Sequence, residues 1–109
     1  MPEIDADPRD LETVRVILRR YLPDREVWAF GSRVGRTPKR FSDLDLVILG
    51  AGSVSATTLA DLREAFDESD LPFKVDLVDW ATSSDAFRRI IESRHVSIHE
   101  ARPDTGRAR

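Results

Sequence analysis

"EVWAFGSRVGRTPKRFSDLDLVILG", residues 26–50, sets two apolar runs on either side of a Gly-Ser and a basic stretch. The first run, Glu26–Phe30, is short, aromatic and β-branched, and reads as a strand. The second, Leu44–Gly50, reads as another. Side chains alternate along a strand, so Asp43 and Asp45 project from one face while Leu44, Leu46 and Ile48 point toward a core. Two carboxylates so placed repel each other, and holding both ionised calls for a cation. An oxygen-only ligand set suits Mg²⁺, which binds through one or two carboxylates plus substrate phosphates.

Gly31-Ser32 ends the first run. It precedes a turn compatible with the opening of a short helix; glycine lets the backbone approach a ligand closely, and N–H groups at a helix start favour phosphate. Between the turn and the carboxylates stand Arg33, Arg36, Lys39 and Arg40, with Gly35 and Pro38 shaping the chain. Guanidinium groups match phosphate oxygens in bidentate fashion. Each piece alone has an ordinary reading: a strand-ending turn, a solvated basic loop, a strand-starting aspartate. Their order along 19 residues from Phe30 to Ile48 points to a metal-bound nucleoside triphosphate.

Outward from this segment, residues 7–23 predict a helix with Asp7 as N-cap, Pro8 at its first position and Pro23 as stop. Leu11, Val14, Ile17, Leu18 and Tyr21 repeat with helical spacing. A second helix is expected over 56–69, capped by Ser55, with Leu59, Leu62 and Phe66 inward. A third strand runs from Phe73 to about Asp79. A short helix over 83–94 carries Phe87, Ile90 and Ile91 on one side, and residues 95–100 add an edge strand. The fold class is α+β: a small mixed twisted sheet with helices packed on it. Residues 1–102 form a single domain, and 103–109 a frayed tail.

The third strand offers a third carboxylate, Asp76 or Asp79. Val75, Leu77 and Asp79 share one face; Lys74, Asp76 and Val78 share the other. With Val75 and Leu77 lining the core, alternation favours Asp76.

Composition narrows the function classes. The 109 residues suffice for one domain, and 40% hydrophobic residues allow a packed core. A net charge of −3 argues against stable binding of long nucleic acid, though not against a local basic pocket. Without cysteine there is neither a disulfide nor a thiolate metal site. No apolar run reaches the roughly 20 residues that span a bilayer. The acidic start lacks a signal-peptide pattern, so a cytoplasmic protein is expected.

The compound motif "GSRVGRTPKRFSDLD", with Gly-Ser, ten residues and Asp-x-Asp, resembles the signature of polymerase-beta-like nucleotidyltransferases. The later "VDL" is similar to that family's third carboxylate segment. The short chain resembles the minimal nucleotidyltransferases (MNT), which occur as antitoxins beside HEPN-domain toxins in type VII-like pairs. The resemblance covers roughly Val27 to His99. It implies that Asp43 and Asp45 hold two Mg²⁺ ions with the triphosphate, and that Asp76 binds the catalytic metal and helps activate the acceptor hydroxyl. It implies that Gly31 and Ser32 hold the β and γ phosphates and that Arg33 contacts the triphosphate. The implied reaction transfers AMP from ATP to a hydroxyl, a tyrosine of the HEPN toxin, by in-line attack that releases pyrophosphate. Two alternatives accompany it: nucleotidyl transfer to a small molecule such as an aminoglycoside, and an antitoxin that neutralises by binding alone. So small a core leaves acceptor binding to a partner protein or to a second copy in a homo-oligomer.

Five aromatic or imidazole residues outside this motif also bear on the reading. Trp28 and Phe30 make one face of the first strand aromatic, which suits core packing. Trp80 closes the third strand, near the nucleotide or in a core or partner contact. His95 and His99, four apart on one strand, are expected on one face of an edge, where metal binding is the lesser reading.

Overall fold

In the computed structural model, which describes residues 4–34 and 43–101, the two apolar runs flanking the basic segment become β1 (Val27–Phe30) and β2 (Leu44–Ile48) and pair antiparallel. β3 (Val75–Asp79) joins β2 in parallel, and β4 (His95–His99) joins β1 antiparallel, giving a four-stranded mixed sheet in the order β3-β2-β1-β4. A parallel pair needs a crossover. Helix α2 (Ala56–Asp67) supplies it between β2 and β3, while α1 (Pro8–Tyr21) precedes the sheet and α3 (Asp85–Ser93) links β3 to β4. This is the expected α+β architecture.

The helix ends follow their capping residues. Asp7 accepts from Arg9 N at 2.8 Å with Pro8 in the first turn, Ser55 accepts from Thr58 N, and Ser84 accepts from Phe87 N. Such caps satisfy amides that have no partner inside the helix.

Two apolar clusters cover the two faces of the sheet. On one face, Val14 and Leu18 of α1 and Leu62 and Phe66 of α2 pack on Val27, Ala29, Leu44, Leu46, Ile48 and Leu77. Each fully buried Leu or Ile contributes about 1.5–3 kcal/mol. On the other face, Ile91 of α3 seals Phe30 and Val47, with Trp28, Leu49, Val78, Trp80 and Phe87 around them. Phe87 meets Phe30 edge-on at 5.8 Å. The aromatic face of β1 is therefore core, and Trp80 packs edge-on against Trp28 at 5.9 Å.

β4 departs from expectation. Its register against β1 slips between Val27 and Trp28, so Val27 faces His99 while Trp28 faces Ser97. The extra residue breaks the period of two. His95 lies on the α3 face, stacked on Trp28 at 3.8 Å; His99 lies on the α1 face, buried, its Nε2 donating to the Leu22 carbonyl at 2.8 Å. The two histidines do not share a face, which removes the paired-ligand reading. The tail expected at 103–109 lies outside the described residues, as do Gly35, Arg36, Pro38, Lys39, Arg40 and Ser42.

Candidate active site

The site grows from the sheet register. Phe30 stands opposite Asp45, and Asp45 stands opposite Asp76, so β1, β2 and β3 present one row on the α3 face. Asp45 and Asp76 are cross-strand neighbours on that face, as alternation predicted. Asp43, two residues before Asp45, is exposed at the start of β2, where Leu44 N donates to the Lys74 carbonyl at 2.8 Å.

Asp79 sits on the other face and is otherwise engaged. Its carboxylate accepts from Val54 N at 2.9 Å and from Ala81 N at 3.2 Å, tying the β2–α2 loop to the 3-10 turn Trp80–Thr82. Asp76 is exposed beside Asp45 and has no such structural tie among the described residues.

Asp45 carries the electrostatic signature of the site. Burial first, then the Asp76 charge, then the Asp43 charge push its carboxyl up to about 6. Both neighbours act in the same direction, as expected of acceptor-only oxygens crowded without a cation.

Gly31 adopts φ +83°, the left-handed region that glycine enters freely, and the Gly31–Val34 turn closes with Val34 N donating to the Gly31 carbonyl at 3.1 Å. A Cβ built on Gly31 would lie 3.1 Å from Asp45 Cγ and would overlap its Oδ2. The turn is thus packed directly over the Asp45 carboxylate, with Ser32 exposed beside it. Within the described residues this segment is a turn and an isolated bridge, Ile4 to Val34; a helix opening after it would lie outside them.

Arg33, which the resemblance offers as a triphosphate contact, is largely buried. It is 7% exposed; its NH1 donates to the Asp5 carbonyl at 2.7 Å and its guanidinium lies 4.5 Å from the Phe73 ring centroid. Asp5 N in turn donates to the Arg33 carbonyl at 2.7 Å. The N-terminal segment and Phe73 clamp the turn from outside, a role that no local pattern announces. The cations Arg36, Lys39 and Arg40 lie outside the described residues.

Among the described residues, no three His, Asp or Glu side chains are arranged to hold a metal ion by themselves. The donor set nonetheless fits Mg²⁺: a half-buried carboxylate short of positive charge, with a second beside it, is what an ion completed by phosphate oxygens uses. No described helix is long and apolar enough to cross a membrane.

The sheet presents paired carboxylates beneath a Gly-Ser turn, and similarity to known proteins places the chain in a family. The family model Polymerase beta, Nucleotidyltransferase matches residues 12–104, and the chain belongs to this family. It is 47% identical over 98 residues to the Probable protein adenylyltransferase MntA of Haemophilus influenzae, covering 90% of this chain and 86% of that protein. Two solved structures share the fold. One is a toxin-antitoxin crystal structure with AMP-PNP: TM-score 0.69, 24% identity, over 88% of this chain and 77% of the other. The second is the tri-AMPylated Shewanella oneidensis HEPN toxin in complex with its MNT antitoxin: TM-score 0.63, 19% identity, over 85% and 71%.

Proposed function

We propose that this protein is an Mg²⁺-dependent adenylyltransferase that moves AMP from ATP to a tyrosine hydroxyl of a cognate HEPN-domain toxin and thereby acts as its antitoxin. The observation that carries the proposal is the Asp45 carboxylate, flanked by Asp76 and Asp43 and capped by the Gly31 turn. The extensive identity to a protein named as a probable protein adenylyltransferase supports the chemistry, and the fold shared with an MNT–HEPN complex supports the partner.

In this reading, Gly31 and Ser32 hold the β and γ phosphates with backbone N–H groups and the Ser32 hydroxyl. Arg33 keeps the turn in place through Asp5 and Phe73, beside the triphosphate it is proposed to contact. Asp43, Asp45 and Asp76 hold Mg²⁺, which when bound supplies charge stabilisation on the phosphoryl oxygens. Asp76, open to solvent beside Asp45, accepts a hydrogen bond from the acceptor hydroxyl and orients it. The acceptor oxygen forms a bond to the α-phosphorus as its proton passes to the Asp76 carboxylate, the bond from that phosphorus to the β-bridging oxygen breaks, and pyrophosphate leaves.

Co-expression with the toxin tests this. The wild type restores growth, and the Asp43→Asn/Asp45→Asn double variant, present at equal level, does not. Full protection by the double variant would show neutralisation by binding alone.

A further inference from the structure

Four arginines among the described residues are at least partly buried: Arg15, Arg25, Arg33 and Arg88. Arg25 spends its terminal nitrogens on the carbonyls of Leu49, Gly52 and Ser53, and Arg88 spends NH2 on those of Trp80 and Ala81. Arg33 donates through NH1 to Asp5. Arg15 is the exception. Its Nε donates to the Ile98 carbonyl at 3.1 Å, while its terminal nitrogens make no bond or ion pair with any described residue.

That guanidinium lines a hollow of 350 Å³ between α1 and the end of β4, shared with Arg19, Pro23, Ile98, His99 and Glu100. The hollow is on the α1 side of the sheet, on the face opposite Asp45. His99 is 9% exposed, and its Nε2 is the nitrogen that donates to Leu22. Its Nδ1 has no partner among the described residues. No fully buried side-chain nitrogen or oxygen among the described residues lacks one, so Nδ1 opens to solvent. Arg19 adds charge at the rim, shared with Glu12 at 2.9 Å. Glu100 is exposed and pairs with neither arginine.

We infer that this hollow is a second ligand site that takes a small-molecule oxyanion, phosphate or carboxylate, on the Arg15 guanidinium beside His99. A partly desolvated guanidinium without a counter-charge is costly, and its fixed fork matches two oxygens of one anion. The Glu100 carboxylate disfavours highly charged polyphosphates and so separates this ligand from the nucleotide.

The test titrates inorganic phosphate and, separately, acetate into Asp45→Asn protein, whose candidate nucleotide site is disabled, while the ring nitrogens of His99 and His95 are followed by NMR. The expected result is a saturable shift of His99 alone, abolished in Arg15→Ala and weakened about tenfold in Arg15→Lys, which keeps the charge but loses the fork. The tighter of the two probes assigns the ligand as phosphate or carboxylate. If Arg15→Ala fails to fold, as His95 reports, Arg15→Lys decides. A non-saturating drift with both probes, or a shift unchanged in the arginine variant that folds, overturns the site.

Discussion

Gly31 and Asp45 touch where no Cβ could stand: the Asp45 carboxylate occupies the volume that any side chain at position 31 would need. The glycine is therefore required twice, by its φ of +83° and by the carboxylate against it. Gly31→Ala is predicted to cost about 1–2 kcal/mol in backbone strain. It should also lower transfer roughly 100-fold, since displacing a reacting group by an ångström has that effect. Chemical denaturation and single-turnover assays on the same preparation separate the two losses.

Asp45 also sets a pH dependence. Its carboxyl titrates near 3.8 in the unfolded chain and at about 6 when folded. Between those values the folded protein keeps a proton that the unfolded chain has released, so stability falls as pH rises through that window. Asp45→Asn should flatten this slope and, at pH 7, gain on the order of 1 kcal/mol after solvent screening of a partly exposed group. Nucleotide-free wild type should gain Mg²⁺ affinity as pH rises through about 6. Denaturation midpoints and Mg²⁺ titrations across that range check both.

Asp76 and Asp79 should fail differently. Asp76→Asn is expected to leave the melting temperature within a few degrees and to abolish transfer, because Asp76 is exposed and placed toward Asp45. Asp79→Ala strips partners from Val54 N and Ala81 N and should cost about 1–3 kcal/mol. Its remaining folded fraction should stay active. Equal catalytic losses in the two variants would remove the distinction.

The α3 cluster braces the carboxylate row from the side. Ile91 is fully buried against Phe30 and Val47, the neighbours of Asp45 across and along the sheet. Ile91→Ala is predicted to cost about 2–5 kcal/mol. Thermal unfolding measures it, and a cost below the level of a surface change would contradict the packing described.

Much of this was legible because it obeys a period of two. Alternation in "DLDLVI" separates Asp43 and Asp45 from the core residues, and alternation in "VDLVD" separates Asp76 from Asp79. The features that were not legible depend on tertiary neighbours. Nothing near Gly31 in the chain says that Asp45 will press on it, and nothing near Arg33 says that Asp5 and Phe73 will cover it. The bulge opposite Val27 that parts His95 from His99 is a pairing defect between distant strands, so counting four residues along β4 placed both on one face.

The most direct measurement incubates the protein and the HEPN-domain toxin proposed as its partner with Mg²⁺ and ATP carrying a radioactive phosphorus at either the α or the γ position. Label should pass to the toxin from the α position only, vanish with chelator, and be absent with Asp45→Asn. Transfer from the γ position, or undiminished α transfer by Asp45→Asn, would contradict a nucleotidyl transfer centred on that carboxylate.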